Sequence, residues 1–129
     1  MKPGQAPLLE RNRERAALLR EAAHLYAGAG FRVFPVFEMA HDNAMRRAGL
    51  PRCTCSARAD CGSPGKHPAN GAGGHNLASR SARFIDWHWQ TPRNIGLRPP
   101  TGWAFLDVDP RNGGDESWAR SQASEKAVF

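Results

Sequence analysis

The stretch Leu106-Asp107-Val108-Asp109-Pro110 places two carboxylates at positions i and i+2 of an apolar segment. Side chains alternate between faces along a strand, so this spacing predicts that Asp107 and Asp109 share one face. Leu106 and Val108 are then expected to point into the core. Adjacent carboxylates repel each other unless a cation lies between them, and oxygen ligands suit Mg²⁺ or Mn²⁺. The alternative is a strand running into a turn, with Asp109-Pro110 starting the bend and Asp107 solvated.

Around this motif, hydrophobic periodicity and turn residues predict both helices and strands. The first helix is expected to bury the stripe formed by Leu18, Leu19, Ala22, Leu25 and Tyr26, and it ends at Gly28-Ala29-Gly30. The acidic motif is predicted to close a hairpin. The elements expected are helices over 9–27 and 79–90, strands over 31–37, 94–97 and 103–109, and a helix after Gly113-Gly114.

Composition limits the chain to one domain or part of one. It has 129 residues, of which 40% are hydrophobic, and no apolar run of the length that spans a membrane. The first residues lack the apolar core of a secretory signal, so the expected location is cytoplasmic. Residues 1–14 are predicted to be a disordered or helical extension.

Charge is concentrated in the middle of the chain. The net charge is +6, and residues 43–106 carry nine basic and two acidic side chains, a local balance of +7. Because phosphates are attracted to a positive field, this segment suits a protein that handles polyanions. The alternative is that 15 Arg against 3 Lys reflects genomic base composition and solubility.

Three cysteines lie within nine residues of a long loop at about 38–78, in the pattern C-x-C-x5-C-x5-H. An odd number of cysteines without an export signal argues against a disulfide framework. Three thiolates and an imidazole form a tetrahedral structural zinc site, which would tie down a loop that has no core of its own. The predicted ligands are Cys53, Cys55, Cys61 and His67. His41 and His75 compete for the fourth position, and three unrelated reduced cysteines are the alternative.

Taken in order, several blocks of the chain resemble the N-terminal domain of bifunctional DNA primase/polymerases of the archaeo-eukaryotic primase superfamily. The resemblance covers roughly residues 15–120. It is carried by Gly30-Phe31-Arg32-Val33-Phe34-Pro35-Val36, Cys53-x-Cys55, Cys61-Gly62-Ser63-Pro64-Gly65-Lys66-His67-Pro68, Trp87-x-Trp89, Asn94-Ile95-Gly96-Leu97, the motif at 106–110 and Gly113-Gly114.

This resemblance implies an α+β fold, which would be a partial RRM-like catalytic core with a zinc-stapled loop insertion. It also implies nucleotidyl transfer with two metal ions. Asp107 and Asp109 fall on the family's first catalytic motif and would hold Mg²⁺ or Mn²⁺. The implied partners are a DNA template, nucleoside triphosphates and a helicase domain or protein, in replication of a plasmid, phage or integrated element. The zinc loop would lie near nucleic acid, and the contacts predicted there are Arg46, Arg47, Arg52, Arg58 and Lys66.

One feature departs from the family pattern. Members of the family continue with a downstream Ser-x-His motif and a third acidic residue, whereas residues 118–129 contain no His and no candidate strand that carries a carboxylate. Residues 15–129 are therefore expected to be the N-terminal part of such a domain, incomplete for catalysis alone. The alternatives are a non-catalytic zinc-stabilised module that binds nucleic acid, in which the acidic pair is vestigial, and a degenerate fragment.

Overall fold

The structure, a computed structural model, describes residues 7–40 and 52–128. Over these residues it has three α-helices and a two-stranded antiparallel sheet, which confirms the α+β class. Short 3₁₀ turns lie at Arg58–Asp60, Gly71–Leu77 and Pro110–Asn112. The main elements are α1 (Leu8–Gly28), β1 (Arg32–Val36), α2 (Ala82–His88), β2 (Asn94–Arg98) and α3 (Gly114–Val128).

Strand β1 is the centre of the fold because chain segments pair with both of its edges. Strand β2 pairs along one edge, in a register that sets Phe34 opposite Gly96. Ser79 and Pro68 form bridges on β1, opposite Val33 and Val36, and Met39, just beyond the strand, forms a bridge with Cys53. The loop that carries the cysteines therefore pairs with β1 and the residues just after it, and β1 also pairs with β2.

One face of the sheet packs against α1 and α2. The buried cluster consists of Ala23 and Ala27 from α1, Val33 from β1, and Ile85 and Trp89 from the second helical region. The indole nitrogen of Trp89 donates a hydrogen bond to the carbonyl of Arg93 (3.2 Å), so its only polar group is satisfied inside the core. In the described residues, no helix has both the length and the apolar character needed to cross a membrane.

The predicted first helix is confirmed, but its predicted buried face is only partly right, since Leu19 is the leucine of that stripe that packs against the buried cluster. Leu18 and Leu25 are exposed, whereas the residues that α1 buries are alanines. These alanines are Ala16, Ala23 and Ala27, which share one side of the helix at spacings of seven and four. Small side chains let the helix approach the sheet closely, so the largest apolar residues were a misleading guide to its orientation.

The predicted strand over 103–109 and its hairpin with β2 are also wrong. The segment has no strand structure, and its side chains are not buried: Trp103 is 75% exposed, Phe105 59% and Leu106 67%. Pro99 and Pro100 lack the N–H groups that a ladder needs, and the Trp103 N–H closes a turn onto the Pro100 carbonyl (3.0 Å). The ring of Phe105 then stacks on Phe31 (6.1 Å between centroids), while β2 pairs with β1 instead.

Gly96 is required by the cross-strand neighbour that covers it. A Cβ built at Gly96 would lie 2.3 Å from the Cζ atom of Phe34, far inside van der Waals contact. We expect Gly96→Ala to lower the free energy of unfolding by about 1–3 kcal/mol, because the Phe34 ring must leave its position. Urea unfolding measures this change, with Gly28→Ala as the control, since a Cβ there meets nothing within 4 Å. Equal stability of the two variants would contradict the close packing of Phe34 on Gly96.

Candidate metal centre

The structure brings the three cysteines and one histidine of the predicted zinc site together. The ligand atoms of Cys53, Cys55, Cys61 and His67 all lie within 4.8 Å of one another. Cys53 and Cys55 are buried, and the other two residues are partly buried. Within the part of the chain that the structure describes, this is the one group of three or more His, Cys, Asp or Glu residues suited to hold a metal ion.

The geometry of the cluster fits zinc. A tetrahedral ion with Zn–S bonds of about 2.3 Å and Zn–N bonds of about 2.0–2.1 Å separates S and N ligands by roughly 3.6 Å. The Sγ of Cys53 and the Nε2 of His67 are 3.4 Å apart. Three sulfurs and one imidazole form a closed structural set with no position left for substrate, so this group could hold a structural zinc ion. His75 is not part of the group, and His41 lies outside the described residues.

The first two ligands are positioned by backbone pairing with the residues that follow β1. The N–H of Ala40 donates to the carbonyl of Arg52 (2.7 Å), and the N–H of Thr54 donates to the carbonyl of Glu38 (2.9 Å). The hydroxyl of Thr54 donates to that same carbonyl (2.8 Å). These bonds hold the short segment between Arg52 and Cys55 in an extended conformation beside the residues that follow β1. Because its two cysteines are two residues apart, both sulfurs lie on the side of the cluster.

His67 is oriented by a contact with an aromatic ring. Its backbone carbonyl accepts from the Phe37 N–H (2.9 Å), and its ring lies against the Phe37 ring, with 4.7 Å between centroids. The guanidinium of Arg93 covers Phe37, 4.7 Å from its centroid. The side-chain amide of Asn94, in β2, donates to the carbonyl of Gly65 (3.1 Å). Both strands therefore help to hold the turn that carries His67.

The cluster itself changes the acidity of its thiols. Burial raises the pKa of Cys53, but hydrogen bonds from the backbone N–H groups of Gly65 and Cys55 oppose it. Together with the side chains of His67 and Cys55, they lower that pKa to about 6. At Cys61 a backbone hydrogen bond from Ser63 lowers the pKa, yet burial and the sulfurs of Cys55 and Cys53 raise it more. The cluster thus favours a thiolate at Cys53, the form of cysteine that binds metal.

Glu38 links the cluster to the first helix. The residue is 6% exposed, and its side chain forms an ion pair with Arg15 of α1. Its backbone carbonyl is the acceptor for Thr54, between two of the cysteines. A buried carboxylate needs such a partner, because an uncompensated charge in this position would be strongly destabilising.

The structure does not place Asp107 and Asp109 on a shared strand face. Asp107 is exposed and has no hydrogen bond or ion pair within the described ranges 7–40 and 52–128. Asp109 caps the 3₁₀ turn Pro110–Asn112, where its Oδ1 accepts from the N–H and Nε of Arg111 (3.0 and 3.5 Å) and its Oδ2 from Nδ2 of Asn112 (3.0 Å). The arrangement matches the turn that the sequence left open as an alternative.

The predicted nucleic-acid contacts are only partly described. Arg58 and Lys66 are exposed on the cysteine loop, and Arg52 is partly buried. Arg46 and Arg47 lie outside the described residues.

Comparison with known families now decides the relationship. The family of the bifunctional DNA primase/polymerase N-terminal domain matches residues 23–127 of the chain. The chain belongs to this family. No curated protein and no solved structure matches it. The matched range includes the whole Cys–His cluster and the acidic motif.

Sequence reasoning missed the residues that support the Cys–His cluster. Phe37 reads as the last apolar residue of a strand, and nothing in its spacing shows that it stacks on His67. Gly65, whose N–H lies 3.5 Å from the Cys53 sulfur, has a clearer signal, since Ser-Pro-Gly is a turn sequence. Its φ of +70° also favours glycine.

We expect the purified protein to hold one zinc ion per chain without added metal. Cys61→Ser and His67→Ala each remove one of four ligands, so most of the zinc should be lost on dialysis against a chelator. Elemental analysis measures the stoichiometry. His75→Ala is the matched control and should keep its zinc. A stoichiometry near zero in the unaltered protein, or full retention after Cys61→Ser, would contradict the assignment.

Proposed function

We propose that this chain is the N-terminal segment of a DNA primase/polymerase that carries out metal-dependent nucleotidyl transfer. The match of residues 23–127 to the family is the observation that carries the proposal. The family relationship implies DNA and nucleotides as substrates. The +7 balance of residues 43–106 supports a polyanionic partner. Replication of a plasmid, phage or integrated element is the setting we propose.

Asp107 and Asp109 are the proposed ligands of the catalytic metal. Ionised carboxylates have about four acceptor positions each. Asp109 uses both positions of Oδ1 and one of Oδ2 within its turn, which leaves one on Oδ2. Mg²⁺ or Mn²⁺ held there would neutralise charge on a triphosphate and on the pyrophosphate that leaves. The described residues bring no third acidic ligand to this pair, so we propose that the family's further motifs complete the site.

The division of the chain follows from this proposal. Residues 15–129 form the N-terminal part of the catalytic domain, with a zinc loop at about 38–78 and the first catalytic motif at 106–110. The RRM-like core stays a prediction, because the described sheet has two strands, whereas an RRM sheet has four. Arg58 and Lys66, exposed on the zinc loop, are proposed to contact phosphates together with Arg46, Arg47 and Arg52.

A second candidate is a zinc-stabilised module that binds nucleic acid without catalysis. The observation that favours it is the turn-capping role of Asp109, which explains that carboxylate without any metal. In this alternative the Cys–His cluster and the basic loop keep their roles, and the acidic pair has no catalytic role. Metal binding at the acidic pair therefore separates the two candidates.

We expect Mn²⁺ to bind the zinc-loaded chain in a manner that depends on both carboxylates. Asp107→Asn and Asp109→Asn each keep the side-chain volume and remove the negative charge, so each should weaken Mn²⁺ binding at least tenfold. The electron paramagnetic resonance signal of free Mn²⁺ measures binding directly. Asp115→Asn is the matched control, because Asp115 is an exposed carboxylate in the first turn of α3.

A second experiment measures catalytic activity. It uses a longer protein in which this chain is joined to the family's Ser-x-His motif and third acidic residue. Primer extension should then require Mg²⁺ or Mn²⁺, and either substitution should lower its rate by about 100-fold or more, because a charge that stabilises the transition state is lost. Equal extension by the doubly substituted protein would refute the catalytic role of the acidic pair. Mn²⁺ affinity that neither substitution lowers would favour the non-catalytic module.

A further inference from the structure

The turn that follows the acidic motif holds Asp109 by contacts that do not need the side chain of Arg111. The carbonyl of Asp109 accepts from the N–H groups of Asn112 (3.2 Å) and Gly114 (2.8 Å). Its carboxylate accepts from the N–H of Arg111 at Oδ1 (3.0 Å) and from Nδ2 of Asn112 at Oδ2 (3.0 Å). Backbone N–H groups and the side chain of Asn112 therefore suffice to cap the turn.

The turn is compact as well as capped. Pro110 is its first residue, and the proline ring fixes the backbone dihedral φ there. A Cβ built at Gly114 would lie 2.6 Å from the backbone nitrogen of Asp109, so the chain returns too close to Asp109 for any larger residue. The backbone of Arg111 is thus held in one place beside the Asp109 carboxylate.

The guanidinium of Arg111 contributes little to this turn. Its Nε lies 3.5 Å from Oδ1 of Asp109, at the outer limit of a hydrogen bond, and that oxygen already accepts the shorter bond from the Arg111 N–H. The side chain is 91% exposed, and exposed ion pairs contribute little to stability. Neither of its Nη atoms donates a hydrogen bond within the described ranges. These N–H groups are available to a molecule from outside the protein.

A cation in this position has opposite effects on a metal ion alone and on a metal ion with its substrate. The charge of Arg111 repels a divalent cation at the same carboxylate, so it opposes metal binding while no anion is present. Nucleotide sites hold Mg²⁺ by one or two carboxylates together with the phosphates of the substrate. Phosphates that reach Asp109 in this way also reach the guanidinium, which binds them through charge-assisted hydrogen bonds.

We propose that Arg111 is a phosphate-binding residue for the nucleoside triphosphate, and that its guanidinium leaves Asp109 to contact the triphosphate in the presence of the catalytic metal. Because the turn holds the backbone, only the side chain has to rotate. The planar guanidinium can donate two parallel hydrogen bonds to phosphate oxygens. This inference rests on the proposed function, in which Asp107 and Asp109 hold the metal, and it adds a residue that recognises the substrate of that site.

A triphosphate fits this position better than the backbone of a DNA strand. Proteins that follow a strand use several basic residues along a groove. Arg111 is the one basic residue between Arg98 and Arg120 in the sequence, so the acidic motif and its turn offer no row of cations. A triphosphate concentrates its charge at one end, where one guanidinium and one metal site can meet it.

The test compares Mn²⁺ binding with dATP binding by the zinc-loaded full chain. Arg111→Gln removes the charge and keeps the backbone N–H that caps Asp109. It should strengthen the binding of Mn²⁺ alone by about threefold, because a repelling cation is lost. With Mn²⁺ present it should weaken dATP binding by about fivefold or more, because a charge-assisted contact is lost. The electron paramagnetic resonance signal of free Mn²⁺ and equilibrium dialysis of labelled dATP measure the two affinities.

Two further variants control for charge and for the shape of the side chain. Arg120→Gln makes the same change at an exposed arginine of α3 that donates to Oγ of Ser117 (3.4 Å), and it should leave both affinities unchanged. Arg111→Lys keeps the charge but loses the planar pair of donors. It should leave the Mn²⁺ affinity close to that of the unaltered chain and retain part of the dATP affinity.

The outcomes distinguish this inference from the proposed function. If Arg111→Gln weakens both affinities, Arg111 only supports the turn, and if dATP binding is absent or unchanged, Arg111 does not bind the nucleotide. Either result overturns the inference, while Mn²⁺ binding that depends on Asp107 and Asp109 leaves the proposed metal site intact. An equal loss of affinity for oligo(dT) would overturn the choice of a triphosphate over a DNA strand. No Mn²⁺ binding by the unaltered chain would refute the inference and the proposed metal site together.

Discussion

The backbone hydrogen bonds of residues 32–40 are the constraint on which the rest of the structure depends. Strand β1 pairs with β2 on one edge, while Ser79 and Pro68 pair with the opposite edge. The residues just after β1 then pair with the segment that carries the first two cysteines. Since one face of β1 also supports the helices, a single extended segment determines where the core forms and where the metal ligands meet.

This arrangement explains how a long, coreless loop can present four ligands with useful geometry. The loop contributes few buried apolar side chains, so local packing alone cannot offset the entropy of ordering it. Pairing with the β1 extension orders one part. The other part is ordered by the contact of the His67 ring with Phe37, which Arg93 covers. A bound zinc ion would join these two parts, and its binding free energy would then contribute directly to folding.

Parts of the fold and of the metal site could be predicted from the sequence, for identifiable physical reasons. Periodicity located α1, β1, α2 and β2, and the density of cysteines identified the cluster before any geometry was known. Periodicity could not show that alanines face the core, because close helix–sheet approach depends on tertiary contacts. The predicted strand over 103–109 failed for the same kind of reason: Pro99 and Pro100 end the ladder, and the contact of Phe105 with Phe31 has no signal in sequence spacing.

The central claim is that β1 and its extension bring Cys53, Cys55, Cys61 and His67 together as the ligands of one zinc ion. X-ray absorption at the zinc edge of the purified protein tests it most directly, because it reports the identity and distance of the bound atoms. The account predicts three sulfurs at about 2.3 Å and one nitrogen at about 2.0–2.1 Å. A shell with two sulfurs or fewer, or one dominated by oxygen, would contradict it.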